Sequence, residues 1–384
     1  MFDENLEKPA ATRPAPFLGS RPALDFDDKP MVVIWEVTQA CDLSCYHCRA
    51  SAQPLRNSME LSTAQGRKLI DEVAAMGAPI FVLTGGDPLK RPDIYELVEH
   101  ATLKGVRAAL TPSATPLLTQ AAIQELKKRG LARLAISLDG PSAEIHDGFR
   151  GVPGSFQHTM DAARWAKESH LPMQVNTTVT RRNHQDLDTF VPLLEEMGVV
   201  LWSIFFLVPT GRGKQDDLLS AEECERVFEK LYQISRRVKF HIKTTEGQPY
   251  RRFLLQKHAE EQVAPRAENS ARPKAPAGVA YALDGTRPGV NDGKGFVFIS
   301  HAGEVFPSGF LPLSGGNVRQ QPLSEIYRTS PLFMALRDVQ HLHGKCGICE
   351  YNHICGGSRA RAYAVSGDVF APDPCCVYQP VAAV

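Results

Sequence analysis

Short runs of apolar, largely β-branched residues begin at Met31 and recur over roughly the next 180 residues, each followed by an amphipathic stretch. Met31–Val37, Ile80–Thr84, Val106–Leu110, Arg133–Leu138, Met173–Val179 and Val200–Val208 read as strands. Between the first two, Leu69, Ile70, Val73 and Met76 recur at helical spacing over Ser62–Met76. Ser62 or Thr63 suits the N-cap of that helix, and Gly77 suits its stop. Strand and helix in strict alternation imply a parallel sheet, hence an α/β fold. A closed eight-fold barrel usually takes about 250 residues. Six units in this shorter span predict a partial, open (β/α)6 barrel.

Outside this region the pattern changes. Residues 1–30 mix Pro, Ala and charge without periodicity and read as an extended arm ahead of a barrel over 31–210. Over 211–295 only Ala221–Arg236 is convincingly helical, and Ala264–Pro288 reads as a long loop or linker. The run Gly295-Phe-Val-Phe-Ile-Ser-His-Ala-Gly-Glu-Val-Phe306 fits a β-hairpin turning at Ala302-Gly303, and opens a cysteine-rich segment over 296–384. The 384 residues carry 43 basic and 43 acidic side chains, so the net charge is zero. That balance lacks the excess positive charge that drives nucleic-acid binding. No run approaches the roughly 18–20 apolar residues of a membrane span. The acidic start MFDENLEKPA shows no secretory signal. The expected location is cytoplasmic.

Nine cysteines, at 41, 45, 48, 224, 346, 349, 355, 375 and 376, alter the picture. An odd count, tight clustering and no export signal favour metal ligation over a disulfide framework. Cys41, Cys45 and Cys48 follow the first strand directly, at the end where parallel α/β folds build their sites. Three thiolates on one loop can hold three irons of a [4Fe–4S] cube and leave the fourth open. Zinc prefers four ligands and usually pairs distant Cys-x-x-Cys units, and His47, between Cys45 and Cys48, is poorly placed to complete such a set. Cys346, Cys349, Cys355 and Cys376 can close either a zinc site or a second [4Fe–4S] cluster. Cys224, in a helical pattern with no partner nearby, reads as an inert buried thiol.

The Cys41–Cys48 spacing resembles the signature of the radical S-adenosylmethionine (SAM) superfamily. The resemblance implies a partial (β/α)6 barrel, SAM chelated at the open iron, and reductive cleavage to a 5′-deoxyadenosyl radical. It implies that His47 borders the adenine. Thr84-Gly85-Gly86-Asp87-Pro88 resembles the family's Gly-Gly-Glu-Pro motif, with Asp for Glu, and its carbonyls would accept from the SAM ammonium. Ser137-Leu138-Asp139-Gly140 lies where relatives contact the ribose or the SAM carboxylate. Asn176 and Thr178, on one strand face, would reach the adenosine. Arg150 would pair with the SAM carboxylate or a substrate acid. The tail resembles the SPASM domain or its shortened twitch form. Ser308 stands where the two-cluster form has a cysteine, so one auxiliary cluster is implied. The context Asp373-Pro-Cys-Cys376-Val-Tyr378 favours Cys376 over Cys375 as its fourth ligand.

Further segments, among them His47–Ala52, His146–Gly151, Leu207–Gly213 and Cys346–Tyr363, resemble the radical SAM branch of alternative heme biosynthesis. That branch implies an iron-coproporphyrin III substrate, oxidative decarboxylation of two propionates to vinyls, and an electron donor such as a flavodoxin or ferredoxin. The auxiliary cluster would accept the surplus electron. The same architecture also matures ribosomally made peptides. A peptide substrate would call for an N-terminal winged helix, which the 30 residues ahead of the first strand do not accommodate, unless another chain supplied the recognition. Arg359 and Arg361, with Arg212, Arg251 and Arg252, are candidate partners for substrate carboxylates.

Overall fold

The computed structural model describes residues 25–263 and 289–380. Ala264–Pro288, expected to be a linker, and residues 1–24 of the expected arm lie outside the described residues. One sheet organises the chain: β1 (Val32–Glu36), β2 (Ile80–Thr84), β3 (Ala108–Leu110), β4 (Arg133–Ser137), β5 (Met173–Val179), β6 (Leu201–Phe206), β7 (His241–Thr245), β8 (Phe296–Ile299), β9 (Glu304–Phe306) and β10 (Gly316–Asn317). Their spatial order is β10-β9-β8-β1-β2-β3-β4-β5-β6-β7. From β8 to β7 every pair is parallel; β9 and β10 add on antiparallel.

All six expected strands are present. A seventh, β7, lies in the segment read as helix and linker; its sequence His-Ile-Lys-Thr-Thr has a single strongly apolar residue, so it carried no apolar run. The expected hairpin exists as β8 and β9, and β8 also pairs in parallel with β1, so the C-terminal segment extends the barrel's own sheet.

Alternation sorts the strand residues into two faces. Val33, Trp35, Phe81, Leu83, Leu134, Ile136, Val175, Trp202 and Ile204 are completely buried against the surrounding helices. The opposite face lines the lumen and stays partly accessible, as the Met173–Val179 pattern of alternating burial shows. Fully burying a large apolar side chain contributes about 1.5–3 kcal/mol, so the outer face supplies most of the fold's stability. The first helix, Thr63–Met76, begins on a capping box between Ser62 and Gln65 and stops at Gly77, which is left-handed at φ 64°. Gly66 inside it is required by packing: a Cβ there would lie 2.5 Å from the Trp35 ring. Along the luminal wall the register joins Ser137, Asn176, Ser203 and Lys243 into one row.

Candidate cluster sites

After β1 the chain runs over Thr38–Ala40, and the loop that ends β2 is clipped to it. Gly86 N–H donates to the Thr38 carbonyl at 2.8 Å and Asp87 N–H to the Ala40 carbonyl at 2.6 Å. A Cβ on Gly85 would sit 2.5 Å from the Thr38 oxygen, and one on Gly86 2.5 Å from the Ala40 oxygen. These glycines thus let two loops meet. Asp87 is fully buried; its carboxylate accepts from Leu89 N–H at 3.1 Å and from the Thr115 hydroxyl at 2.7 Å. Burial pushes its pKa up to about 6. Pro88 opens the short 3-10 turn that Asp87 caps. The Gly86 carbonyl accepts from Ser113 Oγ at 2.9 Å, and that hydroxyl lies 3.3 Å from Cys41 Sγ. Ser113 went unnoticed in the sequence, since nothing there ties it to Cys41.

The three-thiol loop is pinned at both ends. Ser44 N–H and Tyr46 N–H donate to the carbonyls of Arg150 and Phe149, and Arg212 N–H donates to that of Cys48. Cys41 and Cys45 are buried and Cys48 is partly accessible. Each sulfur faces a donor: Leu43 N–H for Cys41, Arg150 Nη1 for Cys45 at 3.6 Å, and Ala52 N–H for Cys48. Burial raises the Cys41 pKa, so the thiol stays protonated until a cation displaces the proton. Donors aimed at sulfur suit thiolates bound to iron.

Beside this loop, Asp139 follows β4 and is fully buried. Its Oδ1 accepts from Thr178 N–H at 2.7 Å, and its Oδ2 pairs with Arg150. Arg150 closes the helix Ala143–Arg150, which Ser142 caps and Gly151, at φ 67°, ends. Asn183 Nδ2 donates to the carbonyls of Asp139 and Thr178, both at 2.9 Å. Asp139 N–H reaches His146 Nδ1 at 3.1 Å. Burial alone would raise the Asp139 carboxyl, but Arg150, with His47 and His146, holds it below the usual carboxylate range. Burial pushes His47 and His146 down to about 4, so both are neutral near pH 7. Arg150 therefore has a partner within the chain already. His47 Nδ1 and the Nε and Nη2 of Arg212 are buried without partners, and such atoms next to Cys48 fit a polar ligand. Ser137 and Asn176 are adjacent in register, Asn176 Oδ1 accepts from Gln174 Nε2 at 2.7 Å, and Thr178 shares the luminal face.

In the C-terminal segment, Cys346, Cys349, Cys355 and Cys376 line one open cleft, together with Arg252 and Tyr378. Burial pushes Cys355 up to about 12 and also raises Cys349 and Cys376. Cys375 points elsewhere: its sulfur lies against that of Cys224. The reading of Cys224 as a partnerless thiol is corrected, because its partner lies 151 residues away in sequence. Ser308 is buried and accepts from Phe310 N–H.

The arginines proposed for substrate carboxylates are mostly engaged. Arg361 is 1% exposed, grips Asp373 with Nε and Nη2 at 2.9 and 2.8 Å, and donates to the Glu246 carbonyl. Arg359 is buried and donates to the carbonyls of Gly357, Val369 and Ala371. Arg252 makes a two-pronged pair with Glu225, and Arg251 donates to the carbonyls of Ile354 and Val290. Contrary to the expectation for Arg359 and Arg361, both are buried and bonded within the chain.

A parallel barrel with a three-thiol loop at the carboxyl ends of its strands defines a radical SAM protein, and residues 35–194 match the model of the Radical SAM superfamily. Over 351 residues the chain is 39% identical to the AdoMet-dependent heme synthase of Methanosarcina barkeri, covering 91% of this chain and 97% of that protein. It is 42% identical to the AdoMet-dependent heme synthase of Nitratidesulfovibrio vulgaris, covering 94% and 96%. Streptococcus suis SuiB, solved with its precursor peptide SuiA, superposes with a TM-score of 0.71 at 16% identity, over 91% of this chain and 76% of that one, a likeness of fold. The chain belongs to the AdoMet-dependent heme synthase family of the radical SAM superfamily. Membership implies SAM and a [4Fe–4S] cluster. Among the described residues no helix is long and apolar enough to cross a membrane.

Proposed function

We propose that this chain oxidatively decarboxylates two propionate side chains of iron-coproporphyrin III to vinyls, giving heme b. The observation that carries the reading is the match to AdoMet-dependent heme synthases along almost the whole of both chains. Cys41, Cys45 and Cys48 would hold a [4Fe–4S] cluster, and that cluster with SAM would supply, on one-electron reduction, a radical able to remove a propionate hydrogen. In this reading the neutral His47 borders the adenine, while the loop Gly85-Gly86-Asp87-Pro88 holds the cysteine loop in place and presents carbonyls to the methionine end. Asp139 keeps Arg150 charged and immobile beside Cys45, from where it can steer a carboxylate. Ser137, Asn176 and Thr178 offer polar groups from the luminal wall. A barrel over 31–210, a connecting region over 211–295 and an auxiliary unit over 296–384 would divide the work.

The auxiliary unit, in our reading, binds a second [4Fe–4S] cluster on Cys346, Cys349, Cys355 and Cys376. Forming each vinyl leaves one electron to remove, and this cluster would take it. A one-electron donor of the flavodoxin or ferredoxin type would reduce the first cluster. Two sets of thiols that would carry oxygen-sensitive clusters favour the cytoplasm. The likeness to SuiB is of fold only and lends no weight to a peptide substrate. The test is anaerobic reconstitution with iron and sulfide, then reaction with SAM, dithionite and iron-coproporphyrin III. Heme b by mass spectrometry is expected, and unconsumed substrate alongside cleaved SAM would defeat the reading.

A further inference from the structure

The engaged arginines leave open how an anionic macrocycle would be held. Among the described residues, two cations without a carboxylate partner stand on luminal strand positions. On β6, Trp202, Ile204 and Phe206 pack outward into the core, so Leu201, Ser203 and Phe205 face inward. The register places Lys243 opposite Ser203 and Ile242 opposite Trp202. Lys243 therefore projects into the lumen, and its side chain is accessible there. Ser203 in turn faces Asn176, so Lys243 shares a row with Asn176 and Ser137. Neighbouring strands lie about 4.8 Å apart, which puts Lys243 roughly 10 Å along the row from Asn176. Arg133, at the start of β4 and on the same face as Ser137, lies deeper in the barrel.

Charge and chemistry single these two residues out. Of the charged residues on luminal strand positions, Glu36 is already paired with Arg49 and His301. Lys243 and Arg133 have no carboxylate neighbour among the described residues; the charged group nearest in effect to Lys243 is Arg133, and that to Arg133 is Arg107. An anion entering the lumen would therefore meet two positive charges that no carboxylate of the chain already offsets. Apolar luminal positions lie on the same wall: Ile34 with its register partners Val82 and Phe298, and Phe205 beside Thr178. An apolar disc with carboxylate arms complements that wall.

We infer that Lys243, backed by Arg133, is the luminal anchor for a propionate carboxylate of the substrate, an inference that rests on the substrate being the tetrapyrrole proposed for this chain. A charged hydrogen bond of this kind is worth about 10- to 100-fold in affinity. The test titrates the anaerobically reconstituted holoprotein with iron-coproporphyrin III and with its tetramethyl ester, following the Soret band. Lys243→Met should weaken the tetra-acid by about 10- to 100-fold and leave the ester within about twofold, with an unchanged melting temperature. Lys243→Arg should restore most of the affinity. Lys243→Gln, similar in length but uncharged, reads the same loss if the Met variant misfolds. Unchanged binding of the tetra-acid by folded Met and Gln variants would overturn the anchor, as would equal weakening of acid and ester. Wild-type protein that fails to bind the tetra-acid would overturn the substrate reading itself, and the anchor with it.

Discussion

Arg361 offers a sharp test of how the C-terminal segment is held. It lies 1% exposed, bonded through two nitrogens to Asp373, and its third donor reaches the Glu246 carbonyl just after β7. Asp373 is fully buried and also accepts from Ser358 and Cys375 N–H at 2.8 and 3.0 Å. The pair thus ties the barrel's last parallel strand to the residues that carry Cys376. Arg361→Leu would strand the Asp373 carboxylate, and breaking a buried pair in this way costs about 3–5 kcal/mol. That is a large part of a typical total of about 5–15 kcal/mol. Replacing both partners, Arg361→Leu with Asp373→Leu, removes the uncompensated charge and should recover about 1–3 kcal/mol of the loss. Burial alone would raise the Asp373 carboxyl, yet Arg361 and the two N–H groups hold it low. Its folded pKa therefore lies below its unfolded one. The contribution is complete above the ordinary carboxylate range and is lost as the pH falls through the folded value. Denaturant unfolding at pH 7, with iron content measured alongside, is the assay. A wild-type midpoint for Arg361→Leu, with only a raised KM for the tetrapyrrole, would refute the structural role and return Arg361 to the substrate.

Three more outcomes follow from the site geometry. Replacing Cys41, Cys45 and Cys48 by Ala should lower bound iron from about eight to about four per chain and abolish 5′-deoxyadenosine formation; SAM cleavage by that variant would contradict the first site. Cys376→Ala should empty the second site, whereas Cys375→Ala, whose sulfur faces Cys224, should retain its iron; equal losses by iron count and Mössbauer spectroscopy would refute the ligand assignment. Asp139→Asn removes the counter-charge of Arg150 and should destabilise the protein by about 3–5 kcal/mol, with weaker SAM binding by calorimetry; wild-type stability would show that Arg150 does not depend on this pair.

The six barrel strands were legible because each buries alternate apolar residues on one face, leaving a period that survives in the sequence. β7 was not, since its luminal residues are His241, Lys243 and Thr245 and its outward face is short. The parallel pairing of β8 with β1 joins residues roughly 260 apart, beyond any local pattern. The thiol sets were legible as spacings, but the Cys224–Cys375 link was hidden by its distance along the chain. Motif resemblance brought His47, Asp139 and Arg150 together, and the structure adds that Asp139 and Arg150 neutralise each other beside a neutral His47. The inward turn of Asp87 and the burial of Arg359 and Arg361 depend on which side of a loop or helix faces the core. Composition does not reveal that.

The central claim is that a radical generated at the Cys41–Cys48 loop attacks tetrapyrrole propionates. Iron-coproporphyrin III deuterated at the propionate carbons next to the macrocycle tests it most directly. With the reconstituted protein, SAM and reductant, the account predicts heme b together with deuterated 5′-deoxyadenosine, one labelled molecule for each vinyl formed. Heme b accompanied by unlabelled 5′-deoxyadenosine, or labelled substrate left intact while SAM is consumed, would contradict it.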